Sequence, residues 1–188
     1  MPHGGAIKDT YDDGTNSLHG KQPPNAPLRA SKGSHYEGGH RVPFIARWPG
    51  HIAKESVSGS LMGHMDALAS FAALTNQKLE ASAGPDSYNV LLAWLGQKLP
   101  QPSHDHLVLQ TNNPSPLALR EGDWMLIEKG AGKKNAAAGP NPELSGYELY
   151  NLATDIGETD NLAAKETARA KAMIERLKSI RENGRSRK

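Results

Sequence analysis

The residues with the clearest chemical potential lie in one short stretch, Lys32-Gly33-Ser34-His35-Tyr36-Glu37-Gly38-Gly39-His40-Arg41. An ammonium, a carboxylate, a guanidinium and two imidazoles share a glycine-spaced loop that runs straight into the apolar run Val42 to Trp48. Binding and catalytic groups commonly sit on such loops, because a rigid scaffold fixes the loop while its side chains stay accessible. Fixed in a dry pocket, the Lys32 ammonium can stabilise negative charge that spreads over the oxygens of an anionic group. Left in water it is a solvated loop lysine, and the residues alone leave both readings open. Glu37 and Arg41 suit a pair that holds the loop, and Gly38-Gly39 allows the close backbone approach or positive φ that a turn here needs. His35 and His40 flank the turn, where each either faces a substrate or caps the turn.

Other constellations are weaker. His104 and His106 have a spacing that would put both rings on one face of a strand, as a metal pair requires. No third ligand lies nearby in the chain, so a surface turn is the expectation. Gly130-Ala131-Gly132-Lys133-Lys134 lacks both the first glycine and the Ser or Thr after the lysine that a phosphate loop needs, and reads as a hairpin loop. Asp12-Asp13 reads as a turn. With no cysteine, disulfides, thiolate metal sites and a cysteine nucleophile are excluded, and the compartment stays open.

The elements that must position these groups follow from periodicity and turn chemistry. Residues 1 to 41 carry almost no hydrophobic period and read as a long ordered loop or a series of turns, functional or awaiting a packing partner. Val42 to Trp48 is expected as a short strand ended by Pro49-Gly50. His64 to Gln77 is expected as a helix with Met65, Leu68, Ala69, Ala72 and Ala73 on its stripe, and Asp86 to Leu99 as a short helix or turn. From His106 the pattern changes to short strands, Leu107 to Thr111, Leu117 to Arg120 and Trp124 to Lys129, separated by Asn-Asn-Pro and Glu-Gly-Asp turns, with Tyr147 to Tyr150 as a further partner. Asn161 to Arg181 is the clearest helix, with Leu162, Ala170, Met173, Ile174, Leu177 and Ile180 on one face and Asn183-Gly184 as its stop.

Composition sets bounds. The 188 residues suffice for one domain, or for the end of one plus a small second one. A hydrophobic fraction of 37% with 19 Gly and 13 Pro points to a large share of loop. The formal net charge of +2 is too small, and the basic residues too dispersed, to argue for nucleic acid as a partner. No apolar run approaches the ~18 residues of a membrane span, and Met1 to Gly5 lacks the basic start and apolar core of a signal peptide.

The loop Lys32 to Arg41 closely resembles a signature of the type I sulfatases, and further landmarks of that family follow in order. These are Asp66 opening the helix, Asp86-Ser87-Tyr88-Asn89, Ala118-Leu119-Arg120-Glu121-Gly122-Asp123-Trp124, and Glu148-Leu149-Tyr150-Asn151-Leu152 with Asp155, Glu158 and Asn161-Leu162-Ala163. The resemblance covers nearly the whole chain. It implies an α/β class, the C-terminal part of an alkaline-phosphatase-like sulfatase fold ending in a small antiparallel sheet with a terminal helix. The implied domains are 1–100, the end of the large domain with the active-site lysine loop, and 101–188, a small α+β subdomain.

By residue match the resemblance implies that Lys32 stabilises sulfate and leaving group; beside it, the residues themselves offer His35 as a candidate substrate contact and Glu37, Gly38, Gly39 and Arg41 as the structural members of the loop. The complete enzyme is expected to use calcium and a formylglycine made in a C/S-x-P-x-R motif. Neither that motif nor the family's Asp-Asn-Gly metal ligands occur here, so no metal site and no cofactor are expected in this chain. The implied partners are a sulfate ester and an N-terminal sulfatase portion. The chain alone is expected to be inactive, and the complete enzyme to be exported to the periplasm, the exterior or a lysosome. The rival reading is a truncated, non-catalytic homologue that binds sulfate or a protein partner.

Overall fold

The structure is a computed structural model and describes residues 25–80, 82–100, 104–111, 116–130 and 141–187. Asp12-Asp13 and the Gly130 to Lys134 loop beyond its first residue lie outside the described residues. The helices are α1 (Glu37–His40), α2 (Ala67–Leu74), α3 (Leu91–Trp94) and α4 (Thr167–Asn183), with 3-10 turns at His64–Asp66 and Pro142–Leu144. The strands β1 (Leu107–Gln110), β2 (Leu117–Glu121), β3 (Trp124–Glu128) and β4 (Tyr147–Asn151) form one antiparallel sheet in sequential order. The register of β3 on β4 pairs Trp124 with Asn151, Leu126 with Leu149 and Glu128 with Tyr147. These strands fall where alternation and turn residues put them, because a meander pairs neighbours in sequence and needs no distant partner.

Two compact units make up the chain: residues 1–42, 109–119 and 123–174, and residues 43–108, 120–122 and 175–188. The partition at residue 100 concerns the full-length fold, and we keep it as a proposal. In the first unit Ala118, Met125, Ile127, Tyr150 and Leu152 form a buried cluster against which Tyr36, Leu109 and Ile156 pack. On α4, Ala170, Met173, Ile174 and Leu177 are buried at the i, i+3, i+4, i+7 spacing of one helical face. The helix starts at Thr167 rather than at Asn161. The reason is local: Asn161 Oδ1 accepts the backbone N–H groups of Leu149 and Ala163, and the Leu162 N–H donates to the Leu149 carbonyl. Those residues are committed to the flank of β4 and cannot enter a helix.

Two expectations fail in the second unit. Val42 to Trp48 forms no strand, and Phe44, Ile45 and Trp48 are 51%, 89% and 40% exposed. A strand needs a partner for its backbone donors and acceptors, and among the described residues none pairs with this run. The second concerns the stripe of the helix expected over His64 to Gln77, which forms as α2 after a 3-10 turn: Ala69 and Ala72 are buried together with Asp66 and Ser70, but Met65 and Leu68 are exposed, as are Phe71 and Leu74. Polar bonds decide this orientation. Asp66 accepts from the Gly63 and Tyr88 N–H groups, Ser70 Oγ from Val90 N–H, and Ser87 Oγ from Ala69 N–H. These bonds draw the small face of the helix against the 84–90 segment.

The exposed rings are continuous, since Phe44 stacks on Trp94 at 5.4 Å and Phe71 meets Trp94 edge-on at 5.3 Å. An apolar surface of this kind drives association in water. The chain is therefore expected to self-associate, and Ile45→Glu, at a side chain 89% exposed, to shift it toward monomer with little change in melting temperature. Light scattering that finds wild-type chain monodisperse and monomeric at high concentration overturns this.

Candidate functional site

The first unit is organised around the lysine loop. Lys32 itself is exposed, and among the described residues it enters no ion pair or side-chain hydrogen bond. The residues that follow turn inward: His35 is 8% exposed and Glu37 fully buried. The loop thus presents the Lys32 ammonium to its surroundings, while His35 and Glu37 are turned into the interior.

Four anchors can be traced. Arg29 donates through Nη1 to the Tyr150 hydroxyl at 2.9 Å and to the Glu158 carbonyl at 2.7 Å. Its guanidinium lies 3.8 Å from the centre of the Tyr36 ring, a cation–π contact. The Tyr36 hydroxyl donates to Glu148 Oε2 at 2.6 Å, and Lys129 Nζ sits 2.9 Å from the other Glu148 oxygen. Burial raises the Tyr36 pKa, and its bond to the Glu148 carboxylate adds to the effect, so the phenol stays protonated. Burial also works to raise the Glu148 pKa, but the hydrogen bonds from Tyr36 and Lys129 outweigh it and hold this carboxyl below the usual range. The His35 ring donates to the Pro116 carbonyl, and burial keeps its pKa low, so it is held as a neutral imidazole. Its Nε2 is buried without a partner among the described residues.

The fourth anchor is the Glu37 backbone N–H, which donates to Glu158 Oε2 at 2.8 Å. Glu158 is fully buried, and burial raises its pKa to about 7, with the neighbouring Glu37 carboxylate adding to the shift against the opposing backbone bond. The Glu37 side chain is paired with Arg41, whose Nη1 lies 2.9 Å from Oε2, and His40 Nε2 sits 3.7 Å from Oε1. Gly38 and Gly39 do not use positive φ. They are needed for close approach, since a Cβ on Gly38 would lie 2.5 Å from the Arg29 carbonyl oxygen and one on Gly39 2.9 Å from Ser34 Cβ. Asn25 Nδ2 closes the turn by donating to the Gly38 carbonyl at 2.9 Å.

A cavity of about 460 Å³ opens beside the loop, lined by Gly33, Ser34, His35 and Tyr36 together with Lys129 and Glu148. Sequence reasoning missed Arg29, Glu148 and Glu158 as parts of this site. The two glutamates carried a signal as members of the closing motif, and Arg29 as a residue just ahead of the lysine in the same signature stretch.

Comparisons with known proteins place the chain in a family. A protein-family model described as Sulfatase matches residues 3–77. An N-acetylgalactosamine-6-O-sulfatase from Bacteroides thetaiotaomicron is 31% identical over 186 residues, which is 95% of this chain and 35% of that protein. Human arylsulfatase A is 30% identical over 167 residues, covering 81% of this chain and 32% of its own length. A solved structure of a 6S-sulfatase, from work on glycosaminoglycan metabolism by Bacteroides thetaiotaomicron, superposes with a TM-score of 0.74 at 32% identity over 93% of this chain and 36% of that one. The chain belongs to the sulfatase family. It spans about a third of the length of these relatives and corresponds to the C-terminal part of the alkaline-phosphatase-like fold.

For this sulfatase segment the histidine pair needs a correction. His104 and His106 do not sit in a surface turn but are 6% and 5% exposed. His104 Nε2 lies 2.8 Å from each Asp66 oxygen, with the Tyr88 ring 4.2 Å from its own, and His106 Nδ1 lies between Asp105 and Arg176. Each ring is tied to a carboxylate too distant in sequence, or too ordinary in type, for spacing to reveal its role. Among the described residues no three His, Asp or Glu side chains converge as a metal site. The family implies calcium and a formylglycine residue for complete enzymes, and among the described residues there is no ligand set for the ion.

Proposed function

We propose that this chain is the lysine-bearing C-terminal portion of a sulfuric-ester hydrolase, completed by an N-terminal portion that supplies nucleophile and metal. The reading rests above all on the lysine loop, whose exposed Lys32, unpaired among the described residues, is flanked by buried contacts on either side. A fixed ammonium can stabilise charge on the nonbridging and leaving oxygens of a sulfate ester. It cannot by itself supply a nucleophile, so the isolated chain is inactive. His35 is the second candidate for a substrate contact, on the strength of its unpartnered Nε2. The same N-terminal portion would cover the exposed rings of Phe44, Phe71 and Trp94. Relatives named for N-acetylgalactosamine 6-sulfate make a sulfated sugar the first substrate to try, in a complete enzyme that is exported.

The test is to express the full reading frame and the 188-residue chain side by side on an aryl sulfate and on 6-sulfated N-acetylgalactosamine. Sulfate release by the longer protein alone is expected. Turnover by the short chain above a heat-killed control, or none by either protein, rejects the proposal, and the latter result favours the sulfate- or partner-binding module.

A further inference from the structure

The family landmarks after β4 have a structural purpose that their sequence does not disclose. Asp155 accepts the backbone N–H groups of Thr159 and Asp160 through Oδ2, at 2.7 and 2.9 Å. Asn161 then fastens the exit of this turn to β4. Between them Glu158 adopts a left-handed φ of 52°, a conformation costly for a residue with a Cβ and persisting only where the surroundings enforce it. The outcome is that the Glu158 carboxyl projects into the interior and receives the Glu37 N–H at the start of α1, while the Glu158 carbonyl receives Arg29. Both strands of the lysine loop, residues before and after Lys32, are thereby bound to a single residue 121 positions downstream of Glu37.

We propose that Glu158 is the positioning residue of the lysine loop, setting through its carboxyl on the Glu37 N–H the register in which Ser31 to Arg41 presents Lys32. This inference rests on the reading of Lys32 as the sulfate-facing cation, but its own observable is the loop. Below about pH 7 Glu158 holds the loop as a neutral acid. Its Oε1 is buried and has no partner among the described residues, so an ionised carboxylate would leave a bare charge in the interior beside the Glu37 carboxylate. The groups facing it are Arg29 from the loop, Glu37 from α1 and Asp155 from its own turn, with His40 and Arg41 on the far side of Glu37.

The sign of the pH dependence follows from the raised pKa. An opened loop returns Glu158 to water with a pKa near 4.5, whereas the closed loop binds the proton up to about pH 7. Closure is therefore strongest in acid, weakens as pH rises from about 4.5 to about 7, and levels off above. The Glu158 share is the difference between wild type and Glu158→Gln. Glutamine keeps an acceptor for the Glu37 N–H and cannot ionise.

The experiment is amide hydrogen exchange, resolved by residue and corrected for intrinsic rates, on the 188-residue chain from pH 5 to pH 8. In wild type the protection of the Glu37 amide is expected to fall by roughly tenfold or more between pH 5 and pH 7. In Glu158→Gln it stays protected and loses most of that dependence. In Glu158→Ala it is lost at every pH, while the β3 and β4 amides keep theirs. Wild-type-like protection of Glu37 in the alanine variant, or an unchanged pH profile in the glutamine variant, overturns the proposal. In the complete enzyme Glu158→Ala is expected to lower kcat/KM and Glu158→Gln to restore it. If Lys32→Ala leaves turnover intact while the exchange results hold, the reading of Lys32 fails and the positioning role does not.

Discussion

Replacing Lys32 by alanine in the complete enzyme is expected to lower kcat/KM by about 10²- to 10³-fold, the range seen when one fixed stabiliser of developing charge is removed. The loss should appear mainly in kcat, because the charge it opposes grows as the sulfur–oxygen bond breaks. Little change in folding should accompany it. Lys32 is exposed and, among the described residues, bonded to nothing, so its removal breaks no anchor of the loop. Stability by thermal melt and turnover of an aryl sulfate, measured together, separate these effects. Near wild-type turnover rejects the role, and a large fall in melting temperature shows that the lysine is structural.

The opposite signature is expected from Gly39→Ala. Its new methyl group would lie 2.9 Å from Ser34 Cβ and nearer still to the Ser34 carbonyl oxygen, and a backbone group cannot rotate away as a side-chain tip can. The turn must open, at a cost of about 3 kcal/mol or more, which for a chain of this size lowers Tm by about 6–12 °C. Gly59→Ala is the control, since nothing lies within 4 Å of its Cβ position, and it should move Tm by less than about 2 °C. Calorimetry on the two variants decides the point. Equal melting temperatures would mean that the turn has room that the geometry denies.

The two substitutions divide the loop into a working residue and a frame. Tyr36, Glu37 and Arg29 are occupied by Glu148, Glu158 and Tyr150, all from the sheet or the turn beyond it. The small antiparallel sheet is thus the platform on which the lysine stands. Glu158 gives that platform a dependence on pH, with the loop held more firmly in acid, which the exchange experiment reads directly.

What the sequence determined by itself is the set of features whose causes lie within a few residues. Alternation and the Glu-Gly-Asp turn define β2 and β3, the 3.6-residue period defines α4, and Lys32-Gly33-Ser34-His35-Tyr36-Glu37-Gly38-Gly39 carries the family resemblance. What only the tertiary structure decided is who meets whom across long separations. No periodicity could place Glu158 on the Glu37 N–H, Glu148 on Tyr36, or Asp66 on His104, because contact between distant segments depends on the folded path and leaves no local trace. The same cause lies behind both failed elements. Val42 to Trp48 has the apolar composition of a strand, yet pairing is a property of two segments, and one segment's composition cannot create its partner. In α2 the period correctly indicated a helix, but which face turned inward was settled by the hydrogen bonds that the Ala69 N–H donates to Ser87 Oγ and the Val90 N–H donates to Ser70 Oγ, across some twenty residues.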